Sequence, residues 1–335
     1  MTRTLAGGWL HRHLTSLIIY AAACSASLAL RAALPPIPLY GTMHDDLLQV
    51  RLADRILSGQ WLGDWEVLIL LKGPGYPLFL ALSNVLAVPP TIAQQAVYLL
   101  GAVLAAAALS RLSGTAWTGR MTIIVLALSP VMLGFPASRV YRDALVAAMA
   151  LLAVGLALQI VAFPRATRRA EIARVTALAV AVGVVIGLLQ ITRADTQWVL
   201  LSVGLVIICS VVPTRAAVDA PSLPAAGGSP AAAWAGRHLG ALLAVGAIIL
   251  VLMVSALPSM IVSGINGARY GIAVVDLFSG GGLAQAWRAW VRVEPHSPDP
   301  LLPLSPERRA AVYAISPSAA LLEPALTASP QAGYG

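Results

Sequence analysis

From Leu14 to Leu34 the chain reads LTSLIIYAAACSASLALRAAL, an apolar run almost without charge, and such runs recur along most of its length. Coiled into helix, each approaches the length needed to cross a hydrocarbon core about 30 Å thick. A bilayer interior offers no water to the backbone, so only helices and closed barrels are tolerated there, and unbroken apolar runs select the helix. Composition agrees: 59% of residues are hydrophobic and 11% charged, against roughly 25% charged in an ordinary soluble domain. The sequence predicts an all-α, polytopic transmembrane helix bundle and excludes a soluble globular fold.

Seven spans are expected: Leu14–Leu34, Ile92–Leu112, Met121–Ala137, Ala144–Phe163, Val175–Ile191, Trp198–Val212 and Leu239–Leu257. The first is too long for a removable signal peptide and lacks its small-residue cleavage site. Gly75 to Val88 is also apolar but only 14 residues long and bounded by prolines, which suits an interfacial or re-entrant helix. The positive-inside rule supports leaving it unspanned. Ten basic residues, including Arg165, Arg168, Arg169 and Arg174, then share one side with two acids, Glu171 and Asp219, while twelve basic and twelve acidic residues share the other. The whole net charge of +8 is therefore a topology signal, and the basic balance carries no implication of nucleic acid. The expected arrangement is N-terminus in the cytoplasm and C-terminus exterior, in a cell (plasma) membrane.

The organisation expected is a transmembrane module over 1–258, with an exterior loop at 35–91 and a Pro/Ala/Gly/Ser-rich cytoplasmic linker at 214–237. An exterior segment follows over 259–335, a small domain or a truncated remnant. Cys24 and Cys209 lie in apolar runs and form no disulfide or zinc pattern. The five histidines have no ligand spacing, and only His44 falls near the charged loops, so no metal site is legible and a divalent-metal requirement stays open. Glycines 280–282 lack the Lys-Ser/Thr of a phosphate loop.

Ionisable residues beside a membrane are costly and therefore informative. The first exterior loop holds His44, Asp45, Asp46, Arg51, Asp54, Arg55, Asp64, Glu66 and Lys72, the chain's single lysine. Between Leu47 and Leu62 the apolar positions 47, 48, 50, 52, 56, 57 and 62 leave a polar face with Arg51, Asp54 and Arg55, the pattern of an amphipathic surface helix. The second loop reads Ser-Arg-Val-Tyr-Arg-Asp from Ser138 to Asp143, and the third Thr-Arg-Ala-Asp from Thr192 to Asp195. Guanidinium forks suit phosphate oxygens, and three loops bring arginine and carboxylate to one membrane face. Plainer roles compete: Asp45 and Asp46 as helix caps, the Arg139, Arg142 and Asp143 group and Lys72 as interfacial anchors, and Arg193 with Asp195 as a local pair.

An acidic pair in the first exterior loop, an amphipathic helix, a Lys-Gly-Pro-Gly-Tyr-Pro stretch opening a short apolar segment, and a second loop ending Arg-Asp together resemble the GT-C superfamily over roughly Leu14 to Trp198. These are integral-membrane glycosyltransferases using polyprenyl-phosphate-linked sugars, among them protein O-mannosyltransferases and aminoarabinose transferases. The resemblance implies that Asp45 or Asp46 is the catalytic carboxylate and that Asp143 is the second-loop carboxylate. It also implies that Lys72, with Tyr76 in its motif, contacts a lipid-linked phosphate, with Arg139, Arg142 and Arg193 as further phosphate ligands. The implied partners are a polyprenyl-phosphate-linked sugar, membrane lipid, and a glycan, lipid or protein acceptor. Members usually have more spans and often a sizeable exterior domain, so this chain would be a short one. A secondary transporter and a non-catalytic subunit of a glycan-assembly complex are the rival expectations; a transporter should place its charges near the bilayer midplane.

Overall fold

The computed structural model describes residues 2–37, 45–66, 68–162, 168–209, 230–294 and 304–327. His44 and most of the expected 214–237 linker lie outside the described residues. Among those described, every regular element is a helix, and the one isolated extended pairing is a parallel bridge between Ile37 and Arg139. In chain order the helices are α1 (Thr2–Ala33), α2 (Asp45–Leu57), α3 (Gly75–Val85), α4 (Pro90–Ser113), α5 (Ala116–Ala127), α6 (Pro130–Leu133), α7 (Phe135–Ser138) and α8 (Arg142–Ala162). There follow α9 (Arg168–Thr192), α10 (Gln197–Cys209), α11 (Pro230–Tyr270), α12 (Gly281–Val291), α13 (Pro306–Ile315), α14 (Pro317–Ala320) and α15 (Glu323–Thr327).

Among the described residues, six helical stretches are long and apolar enough to span: Leu14–Ala33, Pro90–Ser113, Ala116–Leu133, Arg142–Ala162, Arg169–Thr192 and Ala241–Tyr270. The protein is an integral, multi-pass, all-α membrane bundle. Large apolar side chains such as Leu17, Ile18, Val125, Leu201, Leu205 and Met253 are exposed on it, as a surface bathed in acyl chains requires. The expected sixth span is helical over only 13 described residues, Gln197–Cys209, about 20 Å of rise; residues 210–212 lie outside the described residues.

Two span boundaries differ from expectation for local reasons. The stretch expected as Met121–Ala137 begins earlier, where the Thr115 hydroxyl accepts from Trp117 N and caps α5. It breaks after Ala127, because Pro130 and Pro136 each open a new short helix at its first turn. The last span continues past Leu257 through Pro258 to Tyr270, so the expected boundary at 258 falls inside one helix.

Small residues set the packing. Gly101 of α4 and Gly155 of α8 face each other so closely that a Cβ on Gly155 would lie 2.6 Å from the Gly101 carbonyl oxygen. Around them Ala102, Ala105, Ala148, Ala153 and Ala157 are buried. In a bilayer, where no hydrophobic force draws helices together, such backbone approach supplies the dispersion contacts. One core joins α3, α8, α9, α10 and α11, and a second joins α1, α4, α5 and α8. A third, smaller core lies at one end of the bundle. There Leu48, Leu52, Leu62, Ile69 and Leu70 of the first loop pack with Tyr270, Ile272, Val274 and Leu277 from the end of α11 and beyond. Hydrogen bonds fasten this union: Trp61 Nε1 to Asn266 Oδ1 at 2.9 Å, the Tyr270 hydroxyl to the Gly63 carbonyl at 2.9 Å and Leu277 N to the Leu70 carbonyl at 2.8 Å, with Asn266 Nδ2 also donating to the Val274 carbonyl at 2.8 Å. Helices α2 and α3, of 13 and 11 residues, are too short to span and sit at this same polar end.

Candidate active site

The polar end is assembled from segments far apart in sequence. At the close of α1 the buried Arg31 donates to Ser138 Oγ at 2.5 Å, and Ile37 N donates to the Ser138 carbonyl at 3.1 Å, pinning the start of the first loop to the second. Helix α2 then opens with two adjacent carboxylates that take different directions. Asp46 turns inward: its side chain is 2% exposed, and Arg139 Nη2 donates to both its oxygens at 3.1 and 3.0 Å. Asp45 faces the open side, 41% exposed, and its Oδ2 accepts from Lys72 Nζ at 3.0 Å and from the Tyr141 hydroxyl at 3.1 Å. The Tyr141 ring lies beside two guanidiniums, Arg139 at 5.2 Å and Arg142 at 5.8 Å from its centroid, within cation–π range.

Lys72 is delivered by its glycine-proline motif. A Cβ on Gly73 would lie 2.2 Å from the Ile191 carbonyl oxygen, and one on Gly75 would lie 2.3 Å from Thr192 Oγ1 and 2.7 Å from Thr192 N. The motif thus presses its backbone against the end of α9, bringing the first loop onto the third. No other residue allows that approach, because the obstacle is backbone. Gly73→Ala is expected to lower stability by about 1–3 kcal/mol, the ordinary range for overpacking, read as a lower thermal midpoint in mild detergent. An unchanged midpoint would show that the two segments can part without cost.

The third loop completes the cluster. Arg193 grips Asp195 through two parallel bonds, Nε to Oδ1 at 2.6 Å and Nη2 to Oδ2 at 3.0 Å, and reaches Asp143 Oδ1 at 2.8 Å through Nη1. Lys72, Arg142 and Arg193 then line one cleft of about 230 Å³, walled on its far side by Asp276 and Phe278 from the segment after α11. Arg142 Nε has no hydrogen-bond partner among the described residues. A separate apolar groove of about 470 Å³ lies between α2, α3 and the segment that follows α3, lined by Ala53, Leu57, Leu80, Val88, Pro89 and Val140 among others. Val140 stands between Arg139 and Tyr141 in the chain, so groove and cluster share one loop.

Electrostatics follow from this geometry. Burial alone would disfavour the Asp45 carboxylate, but the Lys72 bond and charge, the Tyr141 hydroxyl and the nearby Arg142 outweigh it and hold Asp45 below its ordinary pKa. Asp195 is likewise held low, chiefly by its hydrogen bond to Arg193. Burial pushes the Tyr141 phenol upward, which keeps it a proton donor to Asp45.

Of the eight residues singled out in the sequence, Asp45, Lys72, Arg142, Arg193 and Asp143 converge around or beside the cleft. Buried Asp46 and half-buried Arg139 pair with each other outside the cleft's lining. Tyr76 is fully buried, its hydroxyl accepting from Gln94 Nε2 at 3.1 Å and its ring stacked near Phe79, so it packs α3 against α4 and does not reach the cleft. Three contributors escaped the sequence reading. Tyr141 was present in the quoted second loop, but nothing in its position marked it as a carboxylate ligand. Asp276 and Phe278 lie some two hundred residues from Lys72 and only the fold reveals them. Among the described residues no group of three or more His, Cys, Asp and Glu converges as a metal site would. No known protein family, curated protein or solved structure matches this chain.

Proposed function

We propose that the protein is a glycosyltransferase of the GT-C kind, moving a sugar from a polyprenyl-phosphate carrier to an acceptor on the exterior face of a cell membrane. The observation that carries this reading is the small cleft lined by Lys72, Arg142 and Arg193, whose lysine also holds Asp45, itself bonded by the Tyr141 hydroxyl, together with an apolar groove that meets the second loop at Val140. A phosphate needs the cations and an isoprenoid chain needs the groove. The distribution of arginines between the two sides supports a cytoplasmic N-terminus and an exterior polar end. Ionisable residues gather at that end and not at mid-bundle, which disfavours a transporter.

In the proposed transfer, the acceptor oxygen attacks the anomeric carbon, the bond from that carbon to the phosphate oxygen breaks, and the acceptor's proton passes to Asp45. The electron pair of the broken bond leaves with the polyprenyl phosphate, whose growing charge Lys72, Arg142 and Arg193 stabilise from fixed positions. Lys72 links the two halves of this chemistry. Without donor it is the counter-ion of Asp45, which keeps that carboxylate weakly basic. A phosphate that draws Lys72 away raises the carboxylate's proton affinity when a base is needed.

Reconstitution into liposomes with a radiolabelled polyprenyl-phosphate sugar tests the reading. Label should move to an acceptor in step with release of polyprenyl phosphate. Lys72→Ala should raise the donor KM roughly ten- to hundredfold, the loss of one charge-assisted hydrogen bond. Label crossing the bilayer without transfer would replace the proposal with transport, and an unchanged donor KM would remove Lys72 from the phosphate site.

A further inference from the structure

Helix α12, GGLAQAWRAWV over Gly281–Val291, is sharply two-faced. Leu283, Trp287 and Trp290 follow one another at helical spacing on one face, and Gln285, Arg288 and Arg292 at the same spacing on the opposite one. Yet the apolar face is left largely uncovered by the protein: Leu283 is 44% and Trp287 49% exposed, and Phe278 just upstream is 61% exposed. Trp290 finds an aromatic neighbour in the Tyr313 ring at 5.9 Å. At 11 residues the helix cannot span.

Its place in the fold identifies what covers it. The span Ala241–Tyr270 ends ten residues before α12 begins, and the exposed residues Leu257, Met260 and Ile261 carry its lipid-facing surface toward the polar end. The connecting turn cannot swing away from that level. Leu277 N donates to the Leu70 carbonyl at 2.8 Å, and Asp276 holds the turn together by accepting from Phe278 N, Ser279 N and Ser279 Oγ. Two more tryptophans at the same end, Trp65 and Trp198, are more than half exposed. Tryptophan concentrates at membrane boundaries, where its ring is apolar and its N–H can stay hydrated.

We infer that α12 is an interfacial membrane anchor: its Leu283–Trp287–Trp290 face beds into the headgroup boundary of the bilayer, and Arg288 and Arg292 remain on the water side. The occupant of the exposed face is lipid, continuous with the surface that surrounds α11. Because the Asp276–Phe278 turn that walls the charged cleft leads directly into α12, the bilayer surface fixes that wall in place. The cleft therefore opens at headgroup level. This inference stands on the helix and its tether and is independent of the sugar-transfer reading.

Site-directed spin labelling of the full-length protein tests it, in a Cys24→Ser, Cys209→Ser background reconstituted into phosphatidylcholine and phosphatidylglycerol vesicles. Single cysteines are placed at 283, 285, 286, 287, 288 and 292, all at exposed residues. Collisions with dissolved oxygen relative to a water-soluble nickel chelate should rise and fall with the helical period, several-fold higher at 283 and 287 than at 285, 288 and 292. A second measurement needs no label: brominated lipid should quench less fluorescence in Trp287→Phe than in the unaltered protein. High nickel accessibility at every position would place the helix in water and overturn the proposal. So would low accessibility to both reagents at 283 and 287, the signature of a protein partner or a second copy on that face.

Discussion

Asp45→Asn should insert and fold as the unaltered protein does, and should lower sugar transfer by roughly 10²- to 10⁴-fold, the usual contribution of a positioned general base. The fold has little stake in this carboxylate, which is 41% exposed and held by Lys72 and Tyr141 from the open side. An asparagine can still accept from both, while it cannot take a proton from an acceptor. The pH profile gives a second reading. The folded-state pKa of Asp45 lies below its ordinary value, so the charged form persists at pH values where an unperturbed carboxylate would be half protonated. The stability contributed by its pairing is present above the unfolded pKa and lost as pH falls through the lowered folded one. In free enzyme the acid limb of kcat/KM should accordingly lie below the ordinary carboxylate range. In Lys72→Ala it should move upward, because the bond and charge that opposed burial are gone. Transfer by Asp45→Asn at the unaltered rate would remove Asp45 as base; a limb that ignores Lys72 would break the proposed exchange between lysine and phosphate.

Much of the bundle was legible because lipid leaves a chain so few choices. Where a run such as Arg142–Ala162 is long, apolar and uninterrupted, its helix follows from the need to satisfy the backbone internally. Gly75–Val88 was legible for the opposite reason, being too short to cross. What length and hydropathy do not encode is interruption. Pro130 and Pro136 divide an apolar run into three helices, and Pro258, equally a proline in an apolar run, interrupts nothing that ends α11.

The site was legible to the level of its loops and no further. Charge at a membrane face picked out the three segments, and the fold brings them into contact. Adjacency did little to divide Asp45 from Asp46, and both meet the second loop: Asp46 is buried against Arg139, whereas Asp45 stays exposed between Lys72 and Tyr141. Nor did the Lys-Gly-Pro-Gly-Tyr-Pro stretch disclose which of its members matter for position. Its glycines are needed by the backbone of Ile191 and Thr192, its lysine meets Asp45, and its tyrosine is turned into the core.

Arg139→Ala should be the most destabilising single change at the polar end, by about 3 kcal/mol, near the lower bound for breaking a buried ion pair. The lower bound applies because Arg139 itself is 32% exposed while Asp46 is 2% exposed: water already shares the arginine and has almost no access to the carboxylate. Removing the guanidinium deletes two charge-assisted bonds and leaves that buried carboxylate far less compensated. It also frees the neighbouring Ile37–Arg139 bridge from its side-chain anchor, so loss of order should spread into the first loop. The paired replacement Asp46→Leu with Arg139→Met separates this account from a ligand-binding role. Apolar residues of similar bulk remove both charges together, and such swaps are often neutral or better. The double variant should therefore melt above Arg139→Ala in mild detergent, a coupling of opposite sign to simple addition. If Arg139→Ala instead melts with the unaltered protein while donor binding falls, the guanidinium serves the ligand and the Asp46 pair is incidental to the fold.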